Sequence, residues 1–329
     1  MVVIGGLTRL TGSGLSMVEW APILGWLPPM SDAGWQDAFQ KYQHFPEYQL
    51  INRRMGLAEF QGIFWLEYIH RLVGRTIGLV FLLPFLWFLA KGQIARELAP
   101  RFVIMFVLGG LQGVMGWIMV LSGMEEDPHV QPIKLTAHLI FAFLLYAYIL
   151  WTAWNLQYGQ RPKPAAPIPG FGFARLVTVL ITLTAASGGF VAGLKAGGAY
   201  NTFPLMGERW IPEAYGQFEP FLRNFVENPA TVQWNHRLLA ILTLCLVVAL
   251  WAALKNLPLA RRTRWGANLM FGWVWVQVGL GVMTLLLFVP IALASMHQAG
   301  ALVLLTLALY VVHGLRHAHP SMDPKIWTV

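Results

Sequence analysis

The feature that most constrains this chain is a set of seven long apolar segments. They cover residues 62–90, 102–122, 131–154, 173–194, 231–254, 265–289 and 291–312. A helix needs about 20 mainly apolar residues to cross the hydrocarbon core of a bilayer. Charged residues make up only 12% of the chain, against roughly 25% in soluble domains. The sequence therefore predicts an all-α, polytopic membrane protein.

A shorter apolar stretch opens the chain at residues 1–8. It is too short to cross a bilayer, and we interpret it as the end of an eighth span whose first half is truncated here. With the seven complete spans it predicts eight transmembrane helices, arranged as two pseudo-symmetric four-helix bundles.

The loops between the spans differ in charge. Twelve Lys and Arg residues but only two acidic residues occur in the segments 91–101, 158–175, 255–264 and 313–329. Basic loops stay in the cytoplasm, so these segments are predicted to be cytoplasmic, and residues 123–130 and 195–230 to lie outside. Membrane orientation thus accounts for the formal charge of +8, and we predict no nucleic-acid partner.

The two halves of the chain repeat the same order of motifs. The first contains GG (5–6), EYIHRLVG (67–74), LQGVMG (111–116) and PIKLTAH (132–138), and the second contains GG (188–189), QWNHRLLA (233–240), VQVGLG (276–281) and PIALASMH (290–297). We predict a parallel duplication, with an N-terminal half at 1–157 and a C-terminal half at 173–329. The proline-rich segment 158–172 is predicted to be a stiff cytoplasmic linker between them.

Four of the nine histidines lie inside apolar spans: His70, His138, His236 and His297. Each is near the outer end of its span, so all four are predicted to lie at similar depth near the outer face. Ionisable side chains inside a membrane are costly and usually mark function. Neutral imidazoles on facing helices can hold a heme iron between them. Pairing within each half therefore predicts two heme sites, His70 with His138 and His236 with His297.

The four intramembrane histidines also have alternative roles that the sequence leaves open. Each can form a hydrogen bond to a neighbouring helix, and a zinc or copper ion can replace heme, although each half lacks supporting carboxylate or thiolate ligands. A covalently attached heme is excluded, because Cys245 is the only cysteine and there is no CxxCH motif. The remaining histidines are predicted to lie on the surface: His44, His129, His313, His317 and His319.

Several residues near the outer edge can serve the predicted hemes. The basic residues Arg71, Arg75, Lys134 and Arg237 can pair with heme propionates or extend towards the membrane interface. Gly74 lies one turn after His70, where a flat macrocycle needs close access to the backbone. The glycines of the third helix in each half favour close helix packing: Gly109, Gly110, Gly113, Gly116, Gly279 and Gly281.

Glu67 is the acidic residue that breaks the repeat. It lies three positions before His70, on the same helix face, whereas the matching position of the second half holds Gln233 or Trp234. A carboxylate beside only one of the two sites predicts proton transfer at that site. A salt bridge with Arg71 is the alternative.

Together these motifs resemble the heme A synthase family. The resemblance rests on GGLTRLTGSGLSMVEW (5–20), EYIHRLVGR (67–75), LTAH (135–138), NTFPLMG (201–207), NHR (235–237) and MHQ (296–298), and it covers essentially the whole chain. It implies that the second half holds a permanent heme b through His236 and His297, and that the first half receives heme O between His70 and His138. It also implies that Glu67 is essential for oxidation of a heme O methyl group to a formyl group, which makes heme A for cytochrome oxidase.

The setting of this reaction is predicted from the charges of the loops and from the lack of a visible mitochondrial presequence. The protein is expected in a cell inner membrane, favoured over the mitochondrial inner membrane, with its heme sites towards the periplasm. Expected partners are heme O synthase, a membrane electron acceptor and, as a homo-oligomer, a second copy of the chain. Some family members carry a cysteine pair in the first outer loop, which this sequence lacks, so no thiol step is expected.

Two further functions fit a membrane protein with paired hemes. One is a di-heme b electron-transfer protein, and the other is a heme transporter or chaperone. An electron carrier across the membrane needs hemes near both faces, whereas all four histidines are predicted near one face. Extraction of the pigments would distinguish all three, because heme O and heme A together indicate the enzyme.

Overall fold

The protein is all-α in the computed structural model, which describes residues 1–20, 25–124, 128–159 and 169–316. Its α-helices are α1 (Val2–Leu10), α2 (Asp32–Gln43), α3 (Leu57–Ala90), α4 (Ala99–Leu121), α5 (Pro132–Tyr158), α6 (Phe171–Gly193), α7 (Asn224–Glu227), α8 (Pro229–Leu254), α9 (Arg261–Leu286) and α10 (Ile291–Arg316). Seven of them are long and apolar enough to cross a membrane: α3, α4, α5, α6, α8, α9 and α10. The predicted polytopic membrane fold is confirmed. Most of the predicted linker 158–172 lies outside the described residues.

The ends of the spans follow from local chemistry. Pro229 opens α8, where its missing N–H and fixed φ suit the first turn, and the Asn228 side chain caps this helix by accepting hydrogen bonds from two backbone N–H groups. The last span before α10 ends at Leu286 rather than at the predicted residue 289. The reason is that Phe288 and Val289 both adopt φ of 59°, a left-handed conformation that cannot continue a helix.

The chain divides into two compact units, Met1–Leu145 and Tyr146–Val329, so the boundary falls within α5. In the second unit α6 packs against α8, α8 against α9, α9 against α10 and α10 against α6, which closes a four-helix bundle. In the first unit α1 packs against α3, and α3 against α4. A division into halves at the 158–172 segment stays a prediction.

Large apolar side chains remain exposed along the spans. Examples are Val80 and Trp87 on α3, Leu183 on α6 and Trp275 on α9, each more than half exposed. Soluble proteins rarely leave such a surface in water, whereas lipid tails cover it without penalty. The distribution of exposed side chains thus agrees with the apolar sequence of these helices.

The outer end of α3 extends beyond the predicted start of its span at residue 62. It begins at Leu57, and the Glu59 carboxylate accepts a hydrogen bond from the backbone N–H of Gly56, which caps the helix. Here α3 carries buried aromatic residues that pack with Tyr42 of α2: Phe60, Phe64 and Tyr68. The first long loop is therefore anchored to α3 directly outside the turn that carries His70.

Candidate functional site

The second unit brings His236 of α8 and His297 of α10 together, as the sequence predicts. Their ring centroids are 6.4 Å apart and their planes are nearly perpendicular, at 89°. In the part of the chain that the structure describes, no hydrogen bond reaches Nε2 of either ring. Metal–imidazole bonds are about 2 Å long, so rings that ligate one ion from opposite sides have centroids roughly 6 Å apart. The separation therefore fits one metal ion between the two rings.

The first unit contains the second pair, His70 of α3 and His138 of α5. No direct ring contact joins the two imidazoles in the described structure, in contrast to the pair of the second unit. Among the described residues no group of three or more His, Cys, Asp or Glu side chains could hold a metal ion. Two imidazoles per site suit an iron whose other ligands come from a porphyrin, and do not suit the usual zinc sites.

All four imidazoles lie against a glycine of a neighbouring helix. A Cβ atom would approach the ring carbon Cε1 to 3.0 Å at Gly5 (His70), 3.0 Å at Gly116 (His138), 3.1 Å at Gly188 (His236) and 2.8 Å at Gly281 (His297). Any larger residue would have to displace the ring. Gly109, Gly110, Gly113 and Gly279 have no neighbour in the corresponding position. The third-helix glycines thus differ in role, and two of them make room for histidines.

Glutamines one turn before two of these glycines contact the histidines of the last helix in each half. The amide Nε2 of Gln112 lies 3.0 Å from the carbonyl oxygen of His138, and that of Gln277 lies 2.9 Å from the carbonyl oxygen of His297. Each amide also lies 3.2 Å from Nδ1 of the same histidine. Sequence reasoning missed this contact, although the Q-x-x-x-G spacing is repeated in LQGVMG and VQVGLG.

Glu67 is buried in an ion pair. Its carboxylate lies 2.5 Å from Nη2 of Arg71 and accepts hydrogen bonds from the Ser16 hydroxyl at 2.7 Å and the Met17 N–H at 2.8 Å. Arg71 in turn donates to the carbonyl oxygens of Met17 and Glu19. Together, the two side chains hold residues 16–19 of the loop before α3 close to the turn that carries His70.

The second unit uses the same two helix positions in the same way. Gln233 lies three residues before His236 and donates to the carbonyl of Tyr200 at 3.0 Å. Arg237 follows His236 and donates to the carbonyls of Tyr200, Thr202 and Leu205. The position of Glu67 therefore corresponds to Gln233 rather than to Trp234, and each residue holds the loop that precedes its helix. At this helix position the first loop is held through a carboxylate and the second through a neutral amide.

The remaining predicted residues lie near these loops. Arg75 donates to the carbonyl of Gly25, and its guanidinium lies 5.9 Å from the ring centroid of Trp26. Lys134 lies one turn before His138 on α5. The Cβ position of Gly74 is 3.3 Å from the Met1 side chain. Binding of propionates by Arg71, Arg75, Lys134 and Arg237 stays a prediction, and Nε of Arg237 is buried without a partner among the described residues.

One histidine was placed wrongly from the sequence. His313 is fully buried, with Nε2 3.2 Å from the side-chain oxygen of Asn155 and its ring packed against Trp151 and Trp154. A position at the end of an apolar run does not reveal that α5 covers it. His44 and His129 are exposed as predicted, and His317 and His319 lie outside the described residues.

The fold and these sites define a class: a polytopic membrane protein with a repeated pair of intramembrane histidines. The chain belongs to the family described as cytochrome oxidase assembly protein, whose model matches residues 1–309.

Relatives from bacteria, plants and animals carry the name heme A synthase. The chain is 48% identical over 318 residues to the heme A synthase of Nitrosospira multiformis, covering 96% of this chain and 89% of the relative. It is 45% identical to heme A synthase COX15 of Arabidopsis thaliana, covering 98% and 73%, and 44% identical to heme A synthase COX15 of Homo sapiens, covering 96% and 79%. No solved structure matches the chain.

Proposed function

We propose that this protein is a heme A synthase, which oxidises a methyl group of heme O to a formyl group. The observation that carries the proposal is the repeated arrangement of the four histidines: each imidazole lies on one helix and packs against a glycine of another helix of the same unit. The family and the names of its relatives support the same conclusion.

The residues present fit heme at both sites. In the second unit, His236 and His297 would hold heme b. Their ring separation of 6.4 Å and the lack of a hydrogen bond at either Nε2 in the described structure support this assignment. When bound, this group supplies a one-electron carrier. In the first unit, His70 and His138 would receive heme O as the substrate. Each site needs only residues of its own unit.

The asymmetry between the units indicates where the chemistry occurs. Conversion of a methyl to a formyl group adds one oxygen atom, with water as its source, and releases protons and electrons. Glu67 would take up a proton or orient the water, since it is the carboxylate buried beside the first site. Arg71 and the Ser16 hydroxyl hold that carboxylate in place. The released electrons would pass to a membrane electron acceptor, and heme b held in the second unit would supply the one-electron chemistry for this transfer.

We also propose the membrane and the orientation in which the protein acts. The basic loops support an orientation with the histidine ends of the spans outside the cytoplasm. We place the protein in a cell inner membrane with both heme sites towards the periplasm, where it takes heme O from heme O synthase. A homo-oligomer is compatible with the exposed apolar helix faces.

Pigment analysis of four single variants tests this function. His236→Ala and His297→Ala should remove the reversible b-type absorbance of the purified protein, because one axial ligand is lost. His70→Ala and His138→Ala should retain heme b but yield cells that accumulate heme O. His44→Ala, an exposed loop histidine, is the control and should behave as the wild type.

The same experiment distinguishes the alternative functions. A di-heme electron carrier would contain heme b at both sites and no heme O or heme A, and a transporter would bind an exchangeable heme without oxidising it. Full heme b content in the His236→Ala/His297→Ala double variant would contradict the assignment of the second site.

A further inference from the structure

The second-unit histidines each have a hydrogen-bond acceptor at Nδ1. For His236 this acceptor is Ser187 of α6, whose hydroxyl oxygen lies 2.7 Å from Nδ1. The same hydroxyl lies 2.7 Å from the carbonyl oxygen of Thr184 and donates its single hydrogen there. Because that hydrogen is used, Ser187 accepts a hydrogen bond from Nδ1–H of His236. The lone pair of the ring is then on Nε2.

The acceptor for His297 is part of the backbone. Nδ1 of His297 lies 3.1 Å from the carbonyl oxygen of Gln277. A carbonyl can only accept, so this contact forms when Nδ1 carries the proton and the lone pair is on Nε2. The Gln277 amide, 3.2 Å from the same Nδ1, can donate only to the other tautomer. Metal-bound histidines characteristically donate their other ring N–H to such an acceptor, which fixes the ring and strengthens it as a ligand. Both second-unit rings therefore have an Nδ1 acceptor that favours the tautomer and orientation that ligation needs.

The first-unit histidines lack these acceptors. Nδ1 of His70 is buried without a hydrogen-bond partner among the described residues. Nδ1 of His138 lies 3.2 Å from the amide nitrogen of Gln112, which carries hydrogens and is a donor. Neither ring has an Nδ1 acceptor among the described residues. The Gln112 amide lies 3.2 Å from Nδ1 and 3.4 Å from Nε2 of His138, so it does not select one tautomer.

A comparison of the two halves identifies the residue that accounts for the different Nδ1 partners of His70 and His236. Gly5 and Gly188 approach their rings almost identically, with Cβ-to-Nδ1 distances of 3.6 Å for His70 and 3.7 Å for His236. The residue before Gly188 is Ser187, and the residue before Gly5 is Ile4. An isoleucine side chain has no acceptor to offer to Nδ1.

We propose that Ser187 and the Gln277 carbonyl are positioning groups that make the second site retain its heme, and that their absence in the first unit makes that site exchangeable. This inference rests on the proposed function. A substrate must enter and its product must leave, whereas a resident electron carrier must stay. The same helix arrangement serves both purposes because one unit supplies Nδ1 acceptors and the other does not.

Replacement of Ser187 tests the resident site. In Ser187→Ala, heme b should be lost to apomyoglobin about 10-fold faster, as for similar partners of metal-bound histidine, and its midpoint potential should rise because a weaker imidazole donor stabilises ferric iron less. Ser187→Thr retains a hydroxyl and should restore both values towards the wild type. Thr178→Ala is the control, since the Thr178 hydroxyl bonds only to the Ala174 carbonyl of its own helix.

The reverse substitution tests the exchangeable site. Ile4→Ser places a hydroxyl where Ser187 stands in the other unit, so the first site should lose its heme about 10-fold more slowly. This variant also decides the matter if Ser187→Ala does not fold. Unchanged heme loss in Ile4→Ser, an unchanged potential in Ser187→Ala, or equal shifts in Ser187→Ala and Thr178→Ala would each overturn the inference.

Those results would leave the proposed function intact, provided that heme b still depends on His236 and His297. If heme content does not depend on those histidines, the proposed function itself fails. The two failures are therefore distinguishable in the same set of purified proteins.

Discussion

At the scale of single residues, the structure changes the interpretation of Glu67. Its carboxylate is an acceptor for Ser16, Met17 and Arg71 at once, so the salt bridge considered as an alternative is present. Such a bridge does not exclude proton transfer, because the carboxylate is buried next to the helix turn that carries His70. Its counterpart Gln233 shows that an amide at this position can hold an outer loop.

Substitution of Glu67 separates these two roles. Glu67→Gln should fold and retain heme b, because Gln233 beside Arg237 is stable in the second unit. Conversion of heme O should fall by about 100-fold or more, as expected for loss of a general acid or base. Chromatography of hemes extracted from cells measures this, with Glu59→Gln, an exposed cap residue, as the control. A normal yield of heme A would show that Glu67 holds the loop and has no part in the oxidation.

Glycine substitutions test whether the small residues beside the imidazoles are needed to position them. A Cβ at Gly281 would lie 2.8 Å from Cε1 of His297, whereas one at Gly279 on the same helix meets no neighbouring atom within 4 Å. Gly281→Ala should therefore displace the imidazole and remove most of the heme b, while Gly279→Ala should retain it. Heme content per purified protein gives the answer. Equal heme content in the two variants would mean that the ring adapts to the added methyl group.

At the scale of elements, the C-terminal end of α10 is tightly packed, whereas its N-terminal end carries His297. His313 is enclosed by aromatic side chains of α5, and Arg262 of α9 lies 4.0 Å from the ring centroid of Tyr158. The Tyr158 and Tyr310 hydroxyls are 3.2 Å apart. These contacts join α5, α9 and α10 within the second unit, at the opposite ends of α9 and α10 from Gly281 and His297.

Removal of the His313 ring tests this packing. His313→Ala should lower the stability of the protein in detergent by roughly 3 kcal/mol, as for truncation of large buried rings in general. Its b-type spectrum below the unfolding temperature should stay unchanged, because the cluster does not contact His236 or His297. Thermal unfolding followed by heme absorbance measures both quantities, with His44→Ala as the control. An unchanged unfolding temperature would show that this cluster contributes little.

At the scale of the whole molecule, the duplicated order of motifs constrains the topology. Each histidine helix is matched by one in the other half, and the basic loops predict that both sets run in the same direction through the membrane. The structure supports the repeat through the paired contacts: Gly5 and Gly188, Gly116 and Gly281, and Gln112 and Gln277. The orientation itself depends on the charges of the loops.

Cysteine labelling tests that orientation. In a Cys245→Ser background, Gln217→Cys should react with an impermeant thiol reagent in intact cells, because residues 195–230 are predicted to lie outside. Gln93→Cys should react only after the membrane is opened, since 91–101 is predicted to be cytoplasmic. Both glutamines are exposed, which makes them a matched pair. Labelling of Gln93→Cys in intact cells would show that the orientation is the reverse of the predicted one.

The sequence by itself determined the membrane class, the seven spans, the repeat and the four histidines, because apolar length and motif order are local properties of the chain. The sequence also contained Gln112, Gln277 and Ser187, but nothing in their spacing says which atom they face. Only the tertiary structure decided that Gly5, Gly116, Gly188 and Gly281 receive the imidazoles, that Glu67 binds Arg71 and a loop, and that His313 is buried. Those contacts join residues that are far apart in the sequence. Their distances depend on how the elements rotate and pack against one another, and the sequence of a single helix does not specify this.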